Sequence, residues 1–121
     1  MTATTRDDTP VAFRNGDAEL RMRDAGGEMS VSFVRFPKGT DMSPALQGLP
    51  GDLCPSPHWG YMLKGRIKLM TKDGDQTYGA GEAFYWAPGH APVALEDCEY
   101  VDFTPTEEFT RVVAHVKEKT G

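Results

Sequence analysis

The chain has 121 residues and a formal net charge of −5, with 39% hydrophobic and 26% charged residues. This length and composition are typical of one globular domain. The acidic balance argues against a nucleic-acid partner, because such a surface needs clustered lysine and arginine. No apolar run approaches the roughly 18 residues of a membrane helix, and the first residues lack the pattern of a signal peptide. We therefore expect a cytoplasmic protein without a membrane or nucleic-acid partner.

Short runs of strand-forming residues, separated by turn signals, follow one another along most of the chain. Residues 1–9 are polar and are expected to be disordered or extended. Further along, Asn15-Gly16 and Asp73-Gly74 each separate two such runs, which is a strong hairpin signal because these turns need positive φ. Many short strands at hairpin spacing are typical of a sandwich, jelly roll or barrel. The sequence thus predicts one all-β domain over residues 10–121.

An irregular segment, residues 37–57, interrupts the strands. Prolines and glycines recur through it, which disfavours a long helix or a central strand. Long segments of this kind in compact domains are often lids or binding loops, and otherwise linkers. Strands resume directly afterwards at His58, so we expect a functional loop.

One helix is predicted at the C-terminus, over about residues 104–119. Thr104 and Glu107 form a capping box, with Pro105 at the first helical position. Apolar side chains then recur on one helical face, namely Phe109, Val112, Val113 and Val116. We expect this face to pack on the outside of the β-body.

Two of the three histidines, His58 and His90, lie beside strand ends flanked by proline and glycine. If His58 points inward, alternation sends Gly60 and Met62 inward as well. Gly60 would then leave space for a ligand beside His58. Tyr85, in the strand predicted at residues 82–86, is a further candidate for the pocket lining.

Two segments resemble the short motifs of the cupin family. Residues 58–65 (HWGYMLKG) resemble the end of the first motif, and residues 81–89 (GEAFYWAPG) resemble the start of the second. The resemblance implies a cupin-like double-stranded β-helix, or jelly-roll barrel, with one C-terminal α-helix. It implies a small-molecule ligand inside that barrel.

The resemblance also implies a homodimer, because cupin barrels commonly pair. Alternation along the strand after the irregular segment places Trp59, Tyr61 and Leu63 on its outward face. Three large apolar side chains on one face should be covered by a sheet, a helix or another subunit. We expect another subunit to cover them.

A metal site is a further implication of the resemblance, and four side chains of ligand type stand near the matching positions. In the first cupin motif, His58 stands at the position of the family's metal-binding glutamate, and Cys54 and Asp52 stand at the positions of its two histidines. His90 lies just before the place of the final histidine. A thiolate with two imidazoles would favour zinc or another borderline metal, whereas two histidines with a carboxylate suit non-haem iron(II). Packing for Cys54 and a turn for Asp52 are the alternatives.

Three functions remain open on this sequence. The first is a metal-dependent enzyme, an oxygenase or isomerase as the resemblance implies, whose metal keeps open positions. The second is a non-catalytic ligand-binding or sensory barrel, for which the pocket suffices. The third is a metal-free barrel whose histidines are structural. The fold alone does not separate them.

Overall fold

Strands make up most of the computed structural model, which describes residues 3–120. The elements are β1 (Val11–Asn15), β2 (Ala18–Gly26), β3 (Met29–Phe36), α1 (Ser43–Leu46), β4 (His58–Lys64), β5 (Arg66–Thr71), β6 (Gly74–Gly79), β7 (Ala83–Trp86), β8 (His90–Ala94), β9 (Cys98–Pro105) and α2 (Thr106–Thr120). The predicted all-β architecture with one C-terminal helix is confirmed. Within the irregular segment, α1 and a 3₁₀ turn at Pro50–Asp52 are additions that the sequence did not predict.

Two antiparallel sheets enclose the core. One has six strands in the order β1-β2-β3-β9-β4-β7, and the other has three in the order β6-β5-β8. Alternate residues of strands such as β5, β7 and β9 face inward, as the period of two requires. These inward positions carry a connected apolar cluster that includes Val34, Phe36, Met62, Ile67, Leu69, Phe84, Trp86 and Tyr100.

The tight connection between β4 and β5 depends on glycine. Gly65 has a φ of +77°, and a Cβ added there would lie 2.1 Å from the carbonyl oxygen of Asp97. Both the left-handed backbone and the close approach of another chain segment exclude larger residues. This turn brings β5 into the second sheet.

Backbone hydrogen bonds hold the irregular segment against the start of β8. Met42 N donates to Pro92 O at 3.1 Å, Cys54 N donates to His90 O at 2.8 Å, and Gly89 N donates to Cys54 O at 2.7 Å. The backbone of Cys54 is therefore held directly beside that of His90.

Helix α2 begins at Thr106, one residue later than the capping box predicts. Thr104 is not an N-cap but a buried residue of β9 that pairs with Ser30 of β3. The residue before a proline favours extended backbone, and the ladder with β3 continues as far as Pro105. Strand pairing thus outweighs the local capping signal.

The predicted apolar face of α2 is buried through Phe109, Val112, Val113 and Val116. It does not pack on the outer surface of a sheet. The helix contacts α1, β1 and β9, and its four apolar side chains join a core cluster with Phe13, Leu46 and Cys54. They also line the same cavity as the inward side chains of the barrel. We conclude that α2 closes the end of the barrel where β4 and β8 begin.

Residues 1–9 were expected to be disordered or extended; residues 1 and 2 lie outside the described residues, and the rest includes a turn at residues 6–8 that is held against β2. Thr9 is buried, and the Arg21 guanidinium donates to its carbonyl oxygen at 3.0 Å. Glu19 explains this order, because it is buried and accepts from Arg6 at 2.6 Å, from Arg21 at 2.8 Å and from Arg14. The Arg21 hydrogen bond and the other two arginines lower the pKa of Glu19 to about 2 despite its burial. No helix within residues 3–120 is long and apolar enough to cross a membrane.

Candidate functional site

Three side chains of metal-ligand type meet at the end of the barrel that α2 closes. Cys54, His58 and His90 each offer one ligand atom, and these atoms lie within 4.8 Å of one another. All three residues are buried. We call them the ligand cluster. The structure therefore brings together three of the four ligands that the sequence suggested.

The fold explains why these residues meet although they are distant in sequence. His58 is the first residue of β4 and pairs with Trp86 of β7. His90 is the first residue of β8, and the isolated bridge between Cys54 and His90 places the cysteine beside it. The irregular segment thus carries Cys54 across the barrel end to the two histidines.

His58 is held in one orientation by a buried carboxylate. Its Nδ1 lies 2.8 Å from Oδ2 of Asp102, so its Nε2 is left for the cluster, 3.6 Å from Cys54 Sγ. Burial by itself lowers the pKa of His58, but the charge and hydrogen bond of Asp102 outweigh it and raise this pKa to about 10. Without a metal, His58 is therefore an imidazolium at neutral pH.

The ring of His90 is fixed by a backbone carbonyl. Its Nδ1 lies 2.7 Å from the carbonyl oxygen of Ala87, and since a carbonyl only accepts, Nδ1 carries the proton. Burial, and then the charge of His58, lower the pKa of His90 to about 3. The neutral ring thus keeps a free lone pair on Nε2, the form that binds metals.

The geometry of the cluster fits a transition metal. With metal–sulfur and metal–nitrogen bonds of about 2.3 and 2.05 Å, a tetrahedral ion separates the two donors by about 3.6 Å. This is the separation found between Cys54 Sγ and His58 Nε2. Nδ1 of each histidine is also hydrogen-bonded to an oxygen, as the second ring nitrogen of a metal-bound histidine almost always is. The donor set is one sulfur and two imidazoles.

An apolar cavity of about 60 Å³ adjoins the ligand cluster. Its wall combines inward barrel residues such as Trp86 and Tyr100 with side chains from the irregular segment and α2, among them Leu46, Phe109, Val112, Val113 and Val116. The Phe109 ring lies 5.1 Å from the His58 ring, centre to centre. A molecule in this cavity would therefore touch the ligand cluster.

The fourth suggested ligand, Asp52, lies outside the cluster. It is exposed, has a φ of +60° in the 3₁₀ turn, and accepts a hydrogen bond from Gly48 N at 2.9 Å. Its carboxylate caps a turn of the irregular segment. Asp52 is therefore not a ligand in this arrangement.

The three residues expected to line the pocket, two from strand alternation and Tyr85 as a further candidate, do not line the cavity. A Cβ on Gly60 would lie 2.4 Å from the Phe84 ring, so aromatic packing fills the expected space. Met62 does point inward, but it is fully buried in the central core. Tyr85 is on the outward face of β7, 52% exposed, and packs on Trp59.

Asp102 and the α2 side chains are site residues that were not predicted from the sequence. The sequence did carry a signal for Asp102, because it lies at the same inward-facing alternate positions of β9 as Tyr100 and Thr104. An acidic residue at an inward strand position is rare unless it is paired. Nothing local, however, indicated which histidine it would meet.

Comparison with known proteins supports the architecture. No family model and no curated protein matches the sequence. Among solved structures, an RmlC-like cupin from Shewanella frigidimarina is similar with a TM-score of 0.63 at 16% identity, over 88% of this chain and 93% of that one. The polyketide cyclase RemF from Streptomyces resistomycificus is similar with a TM-score of 0.64 at 19% identity, over 88% and 80%.

A third similar structure is the oxalate decarboxylase of Bacillus subtilis, a protein with Mn(II) centres. Its TM-score is 0.64 at 18% identity, and the match covers 84% of this chain but only 28% of the decarboxylase. At such identities the likeness concerns the fold. The two facing antiparallel sheets, the site inside one barrel end and these three neighbours lead to one conclusion: the chain has the cupin fold.

Proposed function

We propose that this protein binds a small molecule inside the barrel, beside one divalent transition metal held by Cys54 Sγ, His58 Nε2 and His90 Nε2. The observation that carries the proposal is that hydrogen bonds hold both imidazole rings, those of His58 and His90, in one orientation. Asp102 is hydrogen-bonded to Nδ1 of His58, and the Ala87 carbonyl accepts a hydrogen bond from Nδ1 of His90. The two Nε2 atoms and the thiol are thereby left in one buried cluster beside the cavity.

The donor set favours zinc or a similar borderline metal over iron. Non-haem iron(II) sites combine two histidines with a carboxylate ligand. Here Asp52 is outside the cluster, and Asp102 is engaged with His58 Nδ1. A thiolate with two imidazoles suits zinc or copper better than manganese.

Of the two reactions that the resemblance implied, this arrangement supports an isomerase better than an oxygenase. A bound ion of this kind supplies Lewis acidity at its open position. The chain itself contributes an apolar wall, because α2 packs at the barrel end and its apolar side chains line the cavity beside the cluster. Such a wall strengthens charge interactions with a bound molecule.

A non-catalytic binding or sensory barrel is the second candidate function. The observation that favours it is the small size of the cavity, about 60 Å³, which holds only a few water-sized positions. Turnover needs repeated entry and exit past α2 or the irregular segment, whereas a sensor needs only occasional exchange. Turnover of any carbonyl compound by metal-loaded protein would decide for the enzyme.

The metal site is tested by spectroscopy with Co²⁺ added to metal-free, untagged protein. We expect one equivalent to bind and to give a thiolate-to-cobalt absorption band in the near ultraviolet. Cys54→Ser should abolish this band, while Cys98→Ser should keep it. Cys98 is a matched control because it is also a buried free thiol but lies in the central core cluster. A wild-type protein that binds no Co²⁺, or a band that survives Cys54→Ser, would overturn the proposal.

The proposal extends to a homodimer in the cytoplasm. Large apolar side chains, 43–53% exposed, cluster on neighbouring strands of the six-stranded sheet: Trp59, Tyr61, Leu63, Tyr85 and Phe103. We call them the outer apolar face. Contiguous patches of this kind mark protein interfaces, and no element within residues 3–120 covers this one. Both cysteines are free thiols, which suits a reducing compartment.

A further inference from the structure

One polar atom in the cavity region lacks a partner. Trp86 is 1% exposed and lines the cavity, yet its Nε1 has no hydrogen-bond partner within residues 3–120. Buried indole N–H groups in native proteins almost always have one. The Trp86 ring lies 5.7 Å from the His58 ring and 5.5 Å from the His90 ring, centre to centre. A ligand in the cavity is therefore well placed to supply the missing acceptor.

A second donor stands beside the first. Tyr100 points inward from β9, lines the same cavity, and its ring lies 5.3 Å from the Trp86 ring. Burial, and then the charge of Asp102, raise the pKa of Tyr100 well above its ordinary value. The phenol thus keeps its proton at neutral pH and remains a donor.

The rest of the cavity sets the size and the character of the ligand. Apart from these two side chains and the ligand cluster, the wall is apolar. About 60 Å³ corresponds to roughly four to six water-sized positions. A ligand that fits without movement of α2 therefore has few non-hydrogen atoms, most of them carbon.

We propose that the Trp86 N–H and the Tyr100 O–H bind the oxygen of a short aliphatic carbonyl compound or carboxylate, and so determine which ligands the cavity accepts. This rests on the part of the proposed function that places a small molecule in the cavity. It does not depend on the metal. Trp86 and Tyr100 are then specificity-determining residues of the site.

The experiment compares acetone with isobutene, which have nearly the same shape but differ in the acceptor oxygen. The chain has only two tryptophans, and Trp59 is 44% exposed on the outer apolar face. In a proton–nitrogen correlation spectrum, acetone should shift the Trp86 indole resonance in a saturable way and leave that of Trp59 unchanged. Because acetone loses more hydration than isobutene on entering an apolar cavity, each probe is compared between proteins: loss of one hydrogen bond should weaken acetone binding by about threefold to tenfold and leave isobutene binding unchanged.

Two variants and one control complete the test. Trp86→Phe and Tyr100→Phe should each weaken acetone binding by a similar factor while isobutene binding stays the same. Trp59→Phe should change neither. If Trp86→Phe does not fold, Tyr100→Phe still decides, because it removes only one oxygen.

Two results would overturn the inference: a Trp86 resonance that acetone does not move, or unchanged acetone affinity in the folded variants. Metal content, measured on the same samples, separates this inference from the proposed function. Protein that binds acetone through Trp86 but no metal contradicts only the metal site. Protein that holds metal but does not respond to acetone contradicts only the inference.

Discussion

Nδ1 of His58 lies 2.8 Å from Oδ2 of Asp102, and both side chains are buried at the closed end of the barrel. This contact orients the imidazole, raises its pKa and leaves Nε2 facing Cys54. The second carboxylate oxygen, Oδ1, has no partner within residues 3–120. The interaction with His58 therefore has to offset the cost of burying the carboxylate. Two of the predictions below rest on this pair.

Asp102→Asn should lower metal affinity by about 10- to 100-fold, the usual loss when the partner of a metal-bound histidine is removed. The amide keeps the shape of the side chain but not its charge. Chelator competition with Zn²⁺ measures the change. Asp75→Asn is the control, because Asp75 is exposed and makes only a 4.0 Å contact with Lys68. Equal affinity in the two variants would contradict a role for Asp102 at the site.

The stability of the metal-free protein should peak near pH 6.5 and fall on both sides. The folded pKa of His58 is raised to about 10 from 6.5, so its contribution is complete below pH 6.5 and disappears as the pH rises towards 10. The folded pKa of His90 is lowered to about 3, so the unfolded chain binds an extra proton below pH 6.5 and stability falls with the pH. Urea unfolding at a series of pH values measures both limbs.

In the same series, Asp102→Asn should flatten the alkaline limb. The reason is that the charge and hydrogen bond of Asp102 raise the pKa of His58 against the effect of burial. An unchanged alkaline limb in this variant would show that other groups cause it.

Leu63→Lys should convert a dimer into a monomer. Leu63 is 53% exposed on the outer apolar face, and a lysine there would place two charges in a desolvated interface. Sedimentation at micromolar concentration measures the mass. Leu95→Lys is the matched control, because Leu95 is also exposed, at 37%, but follows β8 of the other sheet. A monomeric wild type, or equal effects of the two variants, would contradict a dimer through this face.

Val112→Asp should destabilise the protein by about 3 to 5 kcal/mol, because it buries an unpaired charge between α2 and the barrel. Val112 is 4% exposed and lines the cavity. Ala114→Asp, on the exposed side of the same helix, should cost only about 0.5 kcal/mol of helix propensity. Denaturant unfolding compares the two. A similar loss in both variants would mean that α2 is not docked through this face.

The sequence by itself determined the features that depend on local pattern. Alternation and turn residues predicted an all-β domain of short strands, and the helical spacing of Phe109, Val112, Val113 and Val116 predicted the buried face of α2. His58 and His90 were recognisable because each begins a strand after a turn. These properties need only neighbouring residues, since turn chemistry and periodicity act over a few positions.

Only the tertiary structure decided which side chains meet. Asp102 lies 44 residues from His58 in sequence, and strand register, which is set by pairing across the sheet, brings them together. The same pairing extended β9 through Thr104, and the Phe84 ring filled the space expected at Gly60. Local pattern specifies the face on which a side chain lies, but its partner depends on strands that are far apart along the chain.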